Sequence, residues 1–165
     1  MLIYLFVEGT LLMHKAGFDL SRKKIVNQVR KNDPSVSWYD AYIPIGDVVS
    51  KLRNWESQGA TFSYITSRKA FSEISALESV FDRYYFPDGV LKYRNEGESY
   101  TSIIEKRVPD IIIESNQESR DKEKSMIYPN LPDYLKENVV SIVLEDYQGI
   151  NNLPDNLKEL ISVDK

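Results

Sequence analysis

At 165 residues, 42% of them hydrophobic and 28% charged, the chain reads as one globular domain that can bury a core without disulfides or structural metal. It has no cysteine and a single histidine, His14, which excludes disulfide frameworks, thiolate chemistry and His-rich metal sites. The formal net charge of -4 offers no general attraction to nucleic acid or anionic lipid, so neither is the expected partner.

Residues 2–7 form a short, continuous apolar run, the pattern of a strand buried on both faces. Glu8 interrupts it and no basic residue precedes it, so it is not read as a signal peptide. No stretch approaches the ~20 apolar residues of a membrane span, and a cytoplasmic location is the default. Residues 21–31, SRKKIVNQVRK, carry five basic residues and no acid. Ser21 is placed to N-cap a helix whose buried stripe is Ile25, Val26 and Val29. Its basic face is either simply solvated or a contact for nucleic acid or a phosphate ligand. SWYDAYIP, residues 37–44, is an aromatic stretch that either packs into the core or lines a pocket or interface.

Residues 46–58 place Val48, Val49, Leu52 and Trp55 on one helical stripe, with Gly59 as C-cap and a second strand at 60–67. Residues 70–81 predict a helix with Ile74, Leu77, Val80 and Phe81 inward. A third, shorter strand is expected between Tyr84 and Tyr93, broken by the turn Pro87-Asp88-Gly89. A helix over 98–108, ended by Pro109, leads to a fourth buried strand at 110–115. The polar residues 117–125 read as an exposed loop or short helix, 138–146 as a fifth strand, and NLKELI as a last short helix. Asp40, Asp47, Asp88 and Asp110 fall at turns or helix starts, where aspartate caps. This alternation predicts a mainly parallel five-stranded sheet with helices on both faces, a Rossmann-like three-layer α/β fold. Ligands in such sheets bind outside the carboxyl ends of the strands, here the loops after Val7, Ile65, Ile113 and Leu144.

Those loops resemble the motifs of the haloacid dehalogenase (HAD) superfamily of phosphohydrolases. FVEGT (6–10) stands at the first motif, YITSR (64–68) at the second and IIIESN (111–116) at the fourth. Arg94 is the candidate basic residue of the third, with Lys92, Lys106 or Arg107 as weaker choices. The run from Ile43 to Arg68 is similar to the family's helix-glycine-strand approach to motif two. Phe86 to Gly89, Arg94, Tyr100, Pro109-Asp110, Glu114 to Asn116, Gly149-Ile150 and Leu153-Pro154 resemble an uncharacterised HAD-like group. The resemblance implies one HAD-like domain over residues 1–165, in which residues 12–45 form a flap and a minimal, cap-like insertion. HAD-like proteins with minimal caps have open sites and often take bulky or macromolecular substrates, which favours a protein partner over a small metabolite.

The family's chemistry needs a carboxylate nucleophile in line with phosphorus, and Mg2+ held by carboxylate and carbonyl oxygens. Phe6 replaces the nucleophile, and Ser115 and Asn116 replace the paired acids of motif four. The resemblance therefore implies a fold without phosphatase chemistry, with no catalytic residue and no metal or other cofactor. Binding functions remain open: Gly9 and Thr10 offer loop donors, Thr66 and Ser67 hydroxyls, and Arg68 or Arg94 a guanidinium for phosphate oxygens. Glu8 stands at the family's general acid/base position. The leading expectation is a protein that binds a protein partner or a phosphorylated ligand. The alternative is a phosphohydrolase with a rearranged site, using Glu8 and, in that case, Mg2+. The plain structural reading is that Thr10 and Thr66 tie strand ends, that Glu8 bonds Thr10 or Thr66, and that Arg94 pairs with an acid such as Glu98.

Overall fold

Ile3 to Val7 are fully buried, and this first apolar run becomes the central strand of the computed structural model, which describes residues 1–120 and 125–162. After β1 (Leu2–Phe6) the chain turns through a loop into β2 (Leu12–Met13), which pairs antiparallel with β3 (Ile43–Pro44). Between those two short strands lie α1 (Arg22–Arg30) and three 3-10 turns. The remaining elements are α2 (Val48–Ser57), β4 (Thr61–Ile65), α3 (Phe71–Arg83), β5 (Gly89–Lys92), α4 (Tyr100–Lys106), β6 (Ile111–Ser115) and β7 (Val140–Leu144), with a short helix Asp133–Lys136 before β7. The main sheet runs β5-β4-β1-β6-β7 and every adjacent pair is parallel, which gives the expected Rossmann-like α/β architecture.

Alternation along β1 sorts its side chains onto two cores. Ile3, Leu5 and Val7 face the layer that contains Val48, Leu52 and Trp55 of α2 and Leu77 and Val80 of α3. Tyr4 and Phe6 face the opposite layer, with Tyr100, Ile103 and Ile104 of α4 and Ile127, Leu131 and Leu135. A third cluster joins Ile25, Val26 and Val29 of α1 to Met13, Ile45 and Tyr147, anchoring the insertion to the strand-end loops. Register places the functional loops side by side: Leu5 lies opposite both Tyr64 and Ile113. The ladder continues past the strand ends through Val7 N to Ile65 O (2.9 Å), Thr66 N to Lys92 O (3.0 Å) and Asn116 N to Leu144 O (2.7 Å).

Several local expectations are corrected. Ser21 precedes α1 but its side chain makes no capping bond, and neither does Asp47 before α2. Asp110 instead accepts from Leu2 N at 2.6 Å, tying the start of β1 to β6. The helix expected over 98–108 is α4 alone, because Arg107 is already extended two residues before Pro109. The Pro87-Asp88-Gly89 turn precedes β5 rather than breaking it. The last short helix is a 3-10 segment, Leu157–Ser162. In the polar segment, Gln117 and Ser119 are buried, because their side chains satisfy groups on β6 and the loop after β7; residues 121–124 of that segment lie outside the described residues. Among the described residues no helix is long and apolar enough to cross a membrane.

Candidate functional site

Phe6, which the resemblance sets at the nucleophile position, is fully buried and meets the Tyr100 ring edge-on, with centroids 6.2 Å apart. It belongs to the apolar layer under α4 and presents no polar atom to the strand ends. Two residues on, Glu8 carries a carboxylate that is only 2% exposed. A buried carboxylate needs donors or a cation, and the loop after β4 supplies both. Thr66 Oγ1 donates to Glu8 Oε1 at 2.6 Å, and the Ser67 N–H and hydroxyl reach the carboxylate at 3.4 Å. Arg68 Nε lies 3.4 Å from Glu8 Oε1. The expected Glu8–Thr66 bond therefore forms. The Glu8–Thr10 bond does not: Thr10 Oγ1 is buried without a partner among the described residues.

Arg68 holds the site together. Its Nη1 donates to the Tyr39 hydroxyl at 2.5 Å, its Nη2 to Ser67 Oγ at 2.8 Å, and its guanidinium carbon stands 5.3 Å from the Tyr39 ring centre. Arg120, arriving from the loop after β6, donates through Nη1 to the same Ser67 Oγ at 3.1 Å. Two guanidinium groups thus converge on one neutral hydroxyl, with Glu8 as the carboxylate beneath them. Burial works against the Arg120 charge, but attraction to nearby negative charge, first that of Glu8, outweighs it and holds Arg120 above its ordinary value. Burial likewise pushes up the surrounding phenols, Tyr100 and Tyr147 to about 12, so they face the site neutral. Beside Tyr39 a groove of about 350 Å³ opens, lined by Ser37, Asp40, Ser72, Glu73 and Ala76.

Arg94 does not join Arg68. Its guanidinium stacks 4.0 Å from the Tyr100 ring centre, and its Nε is buried without a partner among the described residues, as is the Tyr100 hydroxyl. The pair suggested with Glu98 is absent, because Glu98 accepts from Lys106 Nζ at 2.6 Å and from Asn95 N at 3.0 Å. Lys92, a weaker choice for that role, sits over the Tyr4 ring instead.

The motif-four end of the site is rebuilt around Asp146, a residue to which no sequence pattern pointed. Its carboxylate is 1% exposed and accepts from Ser115 Oγ at 2.9 Å and from Ser119 N at 3.0 Å. Gln117 Nε2 donates to Ser115 Oγ at 2.8 Å, and Asn116 Oδ1 accepts from Asp146 N at 3.2 Å and Glu118 N at 3.1 Å. Ser115 and Asn116 are therefore spent on knitting the loops after β6 and β7. The basic helix α1 helps them: Arg22 pairs with Glu118 (2.7 Å) and Glu145 (3.1 Å), and Arg30 donates to Glu118 O at 2.9 Å. Lys23, Lys24 and Lys31 stay exposed.

No protein-family model matches the chain, and no curated protein matches it in sequence. In structure it is similar to a chain of the Pnkp1/Rnl/Hen1 RNA repair complex, with a TM-score of 0.50 and 12% identity, over 87% of this chain and 42% of that one. The likeness is one of fold. A second Pnkp1/Rnl/Hen1 structure aligns with a TM-score of 0.49 and 12% identity, over 87% of this chain and 46% of that one. The D,D-heptose 1,7-bisphosphate phosphatase from Burkholderia thailandensis aligns with a TM-score of 0.47 and 9% identity, over 88% of this chain and 92% of that one. The chain thus spans less than half the length of the first two structures it resembles.

Among the described residues no three His, Asp or Glu side chains converge as a metal cluster. Sequence reasoning singled out Glu8, Thr66, Ser67 and Arg68, which the fold brings into contact, and Gly9, which lies against Asp146. It missed Arg120, which stands in a polar segment with no periodicity to mark it, and Asp146, which was read as the end of a strand over 138–146 and lies in the loop two residues past β7.

Proposed function

We propose that this protein binds a phosphorylated ligand, free or carried on a protein partner, at the loops after β1, β4 and β6, and does not turn it over. The observation that carries this reading is the convergence of Arg68 and Arg120 on Ser67 Oγ above a single buried carboxylate, that of Glu8. Two guanidinium groups meet one buried carboxylate, the second acid, Glu73, being partly exposed and 4.0 Å from Arg68, so that a phosphate group could add charge-assisted hydrogen bonds at their shared face. Thr66 and the Ser67 N–H stand within the same donor set.

The absence of turnover is supported by the chemistry of the donors. Phosphoryl transfer through the protein would need a carboxylate facing phosphorus, and Phe6 supplies a buried ring. Mg2+ would need oxygen ligands in an octahedron. The residues present do not fit it: Ser115 and Asn116 are engaged with Asp146, and both Glu8 oxygens have donors. The alternative of a phosphohydrolase working through Glu8 would have to break that carboxylate out of four contacts.

Calorimetric titration with inorganic phosphate tests the reading. Binding is expected, and Arg68→Met or Arg120→Met should weaken it by about ten- to a hundredfold, the loss of one charged hydrogen-bond set. Phosphate release from p-nitrophenyl phosphate, with or without magnesium, should stay at background. Steady turnover abolished by Glu8→Gln would overturn it in favour of the phosphohydrolase.

A further inference from the structure

Glu8 occupies the donors that a bound anion would use. Thr66 Oγ1 and Ser67 N and Oγ point at its carboxylate, with the Thr66 contact the shortest at 2.6 Å, and Arg68 Nε, which donates to Ser67 Oγ, lies 3.4 Å from it. We propose that Glu8 is the resident anion of this site, so that an incoming phosphorylated group must compete with it for the same donors. This inference rests on the binding reading above and adds how that binding is restrained.

The charges around the carboxylate support it. From the loop after β4 it faces Arg68, which also stands 4.0 Å from Glu73 of α3. From the loop after β6 it attracts Arg120; from the insertion, α4 and the loop after β7 the phenols of Tyr39, Tyr42, Tyr100 and Tyr147 stand in its field, held neutral by burial, and the loop after β7 also carries Asp146, beside Gly9. Without Glu8, two part-buried guanidinium groups would repel one another across Ser67 with no carboxylate among the described residues in contact but the partly exposed Glu73. With Glu8 in place the empty site is satisfied, and the same negative charge opposes a second anion. One group therefore holds the loops together and sets a threshold for ligand entry.

Titration of the full chain with inorganic sulfate, a dianion at neutral pH, reads this directly. Glu8→Gln keeps the side-chain shape and an oxygen for Thr66 but removes the charge. It should bind sulfate at least about tenfold more tightly than the unaltered protein. Its melting temperature without sulfate should fall, and sulfate should raise it by more than it raises that of the parent. Glu8→Asp, whose shorter arm draws the carboxylate back from Ser67 and Arg68, should tighten binding by a smaller factor and covers the case in which Glu8→Gln does not fold. Equal or weaker sulfate binding by the folded variants, with measurable binding by the parent, overturns the competition and leaves the site itself standing. No sulfate or phosphate binding by any of the three overturns the site and the competition together.

Discussion

Asp146 Oδ1 occupies the space into which a side chain at Gly9 would project, and Ser115 Oγ lies 3.3 Å from that same point. Gly9 also holds a φ of +80°, in the left-handed region that a Cβ disfavours. The glycine after Glu8 is thus required twice, by its own backbone and by the carboxylate that crosses over it. Gly9→Ala should destabilise the protein by roughly 2–4 kcal/mol, from left-handed strain and overpacking together. Adding Asp146→Ala should give a double variant less destabilised than the sum of the two single ones, because the overlap is shared. Urea denaturation of the four proteins measures both effects.

Placing an acid at Phe6 should not create phosphatase activity. Phe6→Asp would place a carboxylate in an apolar layer with Tyr4, Ile65, Tyr100 and Ile112, where the Tyr100 hydroxyl is the one side-chain donor left unpartnered among the described residues of that layer. The expected cost is roughly 3–5 kcal/mol, that of removing a buried aromatic and burying a polar group in its place. Phosphatase activity with added magnesium should remain at background in whatever fraction stays folded. A gain of turnover would show that the remaining loop residues can support the reaction once a carboxylate is supplied.

The sheet was legible because its information is local. Ile3 to Phe6, Phe62 to Ile65 and Ile111 to Ile113 announce buried strands by composition, and Val48, Leu52 and Trp55 mark a helix by spacing. Half of the site was legible for the same reason, since Glu8, Thr66, Ser67 and Arg68 directly follow two of those strands. Arg120 and Asp146 were not, because what gives them meaning is convergence across β6 and β7. Gln117 and Ser119 look like solvent-facing polar residues until Asp146 and Ser115 are seen to need them as donors. Arg94 shows the converse: position suggested a phosphate ligand or a partner for Glu98, and the fold stacks it on Tyr100.

A pH dependence follows from Glu114, which faces the layer opposite α2. It is fully buried and accepts from Ile127 N at 2.6 Å and Tyr128 N at 2.8 Å. Burial outweighs those two donors and pushes its carboxyl from 4.5 up to about 7. Between these values the folded protein keeps a proton that the unfolded chain has lost, so stability should fall as pH rises through that window and level off above about 7. The contribution is on the order of 3 kcal/mol across the window. Glu114→Gln cannot titrate, so the difference in unfolding free energy between it and the parent should change with pH by that amount. A difference that stays constant from acid to neutral pH would remove Glu114 as the cause.

Tyr39 separates the two readings of the aromatic stretch before α2. Its ring is 8% exposed and tilts against Tyr42 with centroids 5.2 Å apart, as a core residue would, while its hydroxyl accepts from Arg68. Tyr39→Phe keeps the ring and deletes only the acceptor. Arg68 retains Ser67 and Glu8, and its side chain is 23% exposed, so water can replace the lost contact in part. Stability should therefore drop by only about 0.5–1.5 kcal/mol, the net worth of one hydrogen bond. Sulfate or phosphate affinity should fall severalfold, because Arg68 loses the partner that fixes its plane. Tyr39→Ala should cost roughly 3–5 kcal/mol of stability on top of that, since it empties part of the core. If Tyr39→Phe leaves anion affinity unchanged while Tyr39→Ala destabilises the fold, the residue serves the core alone. The hydroxyl contact would then be a consequence of packing, and Arg68 would owe its orientation to Ser67 and Glu8.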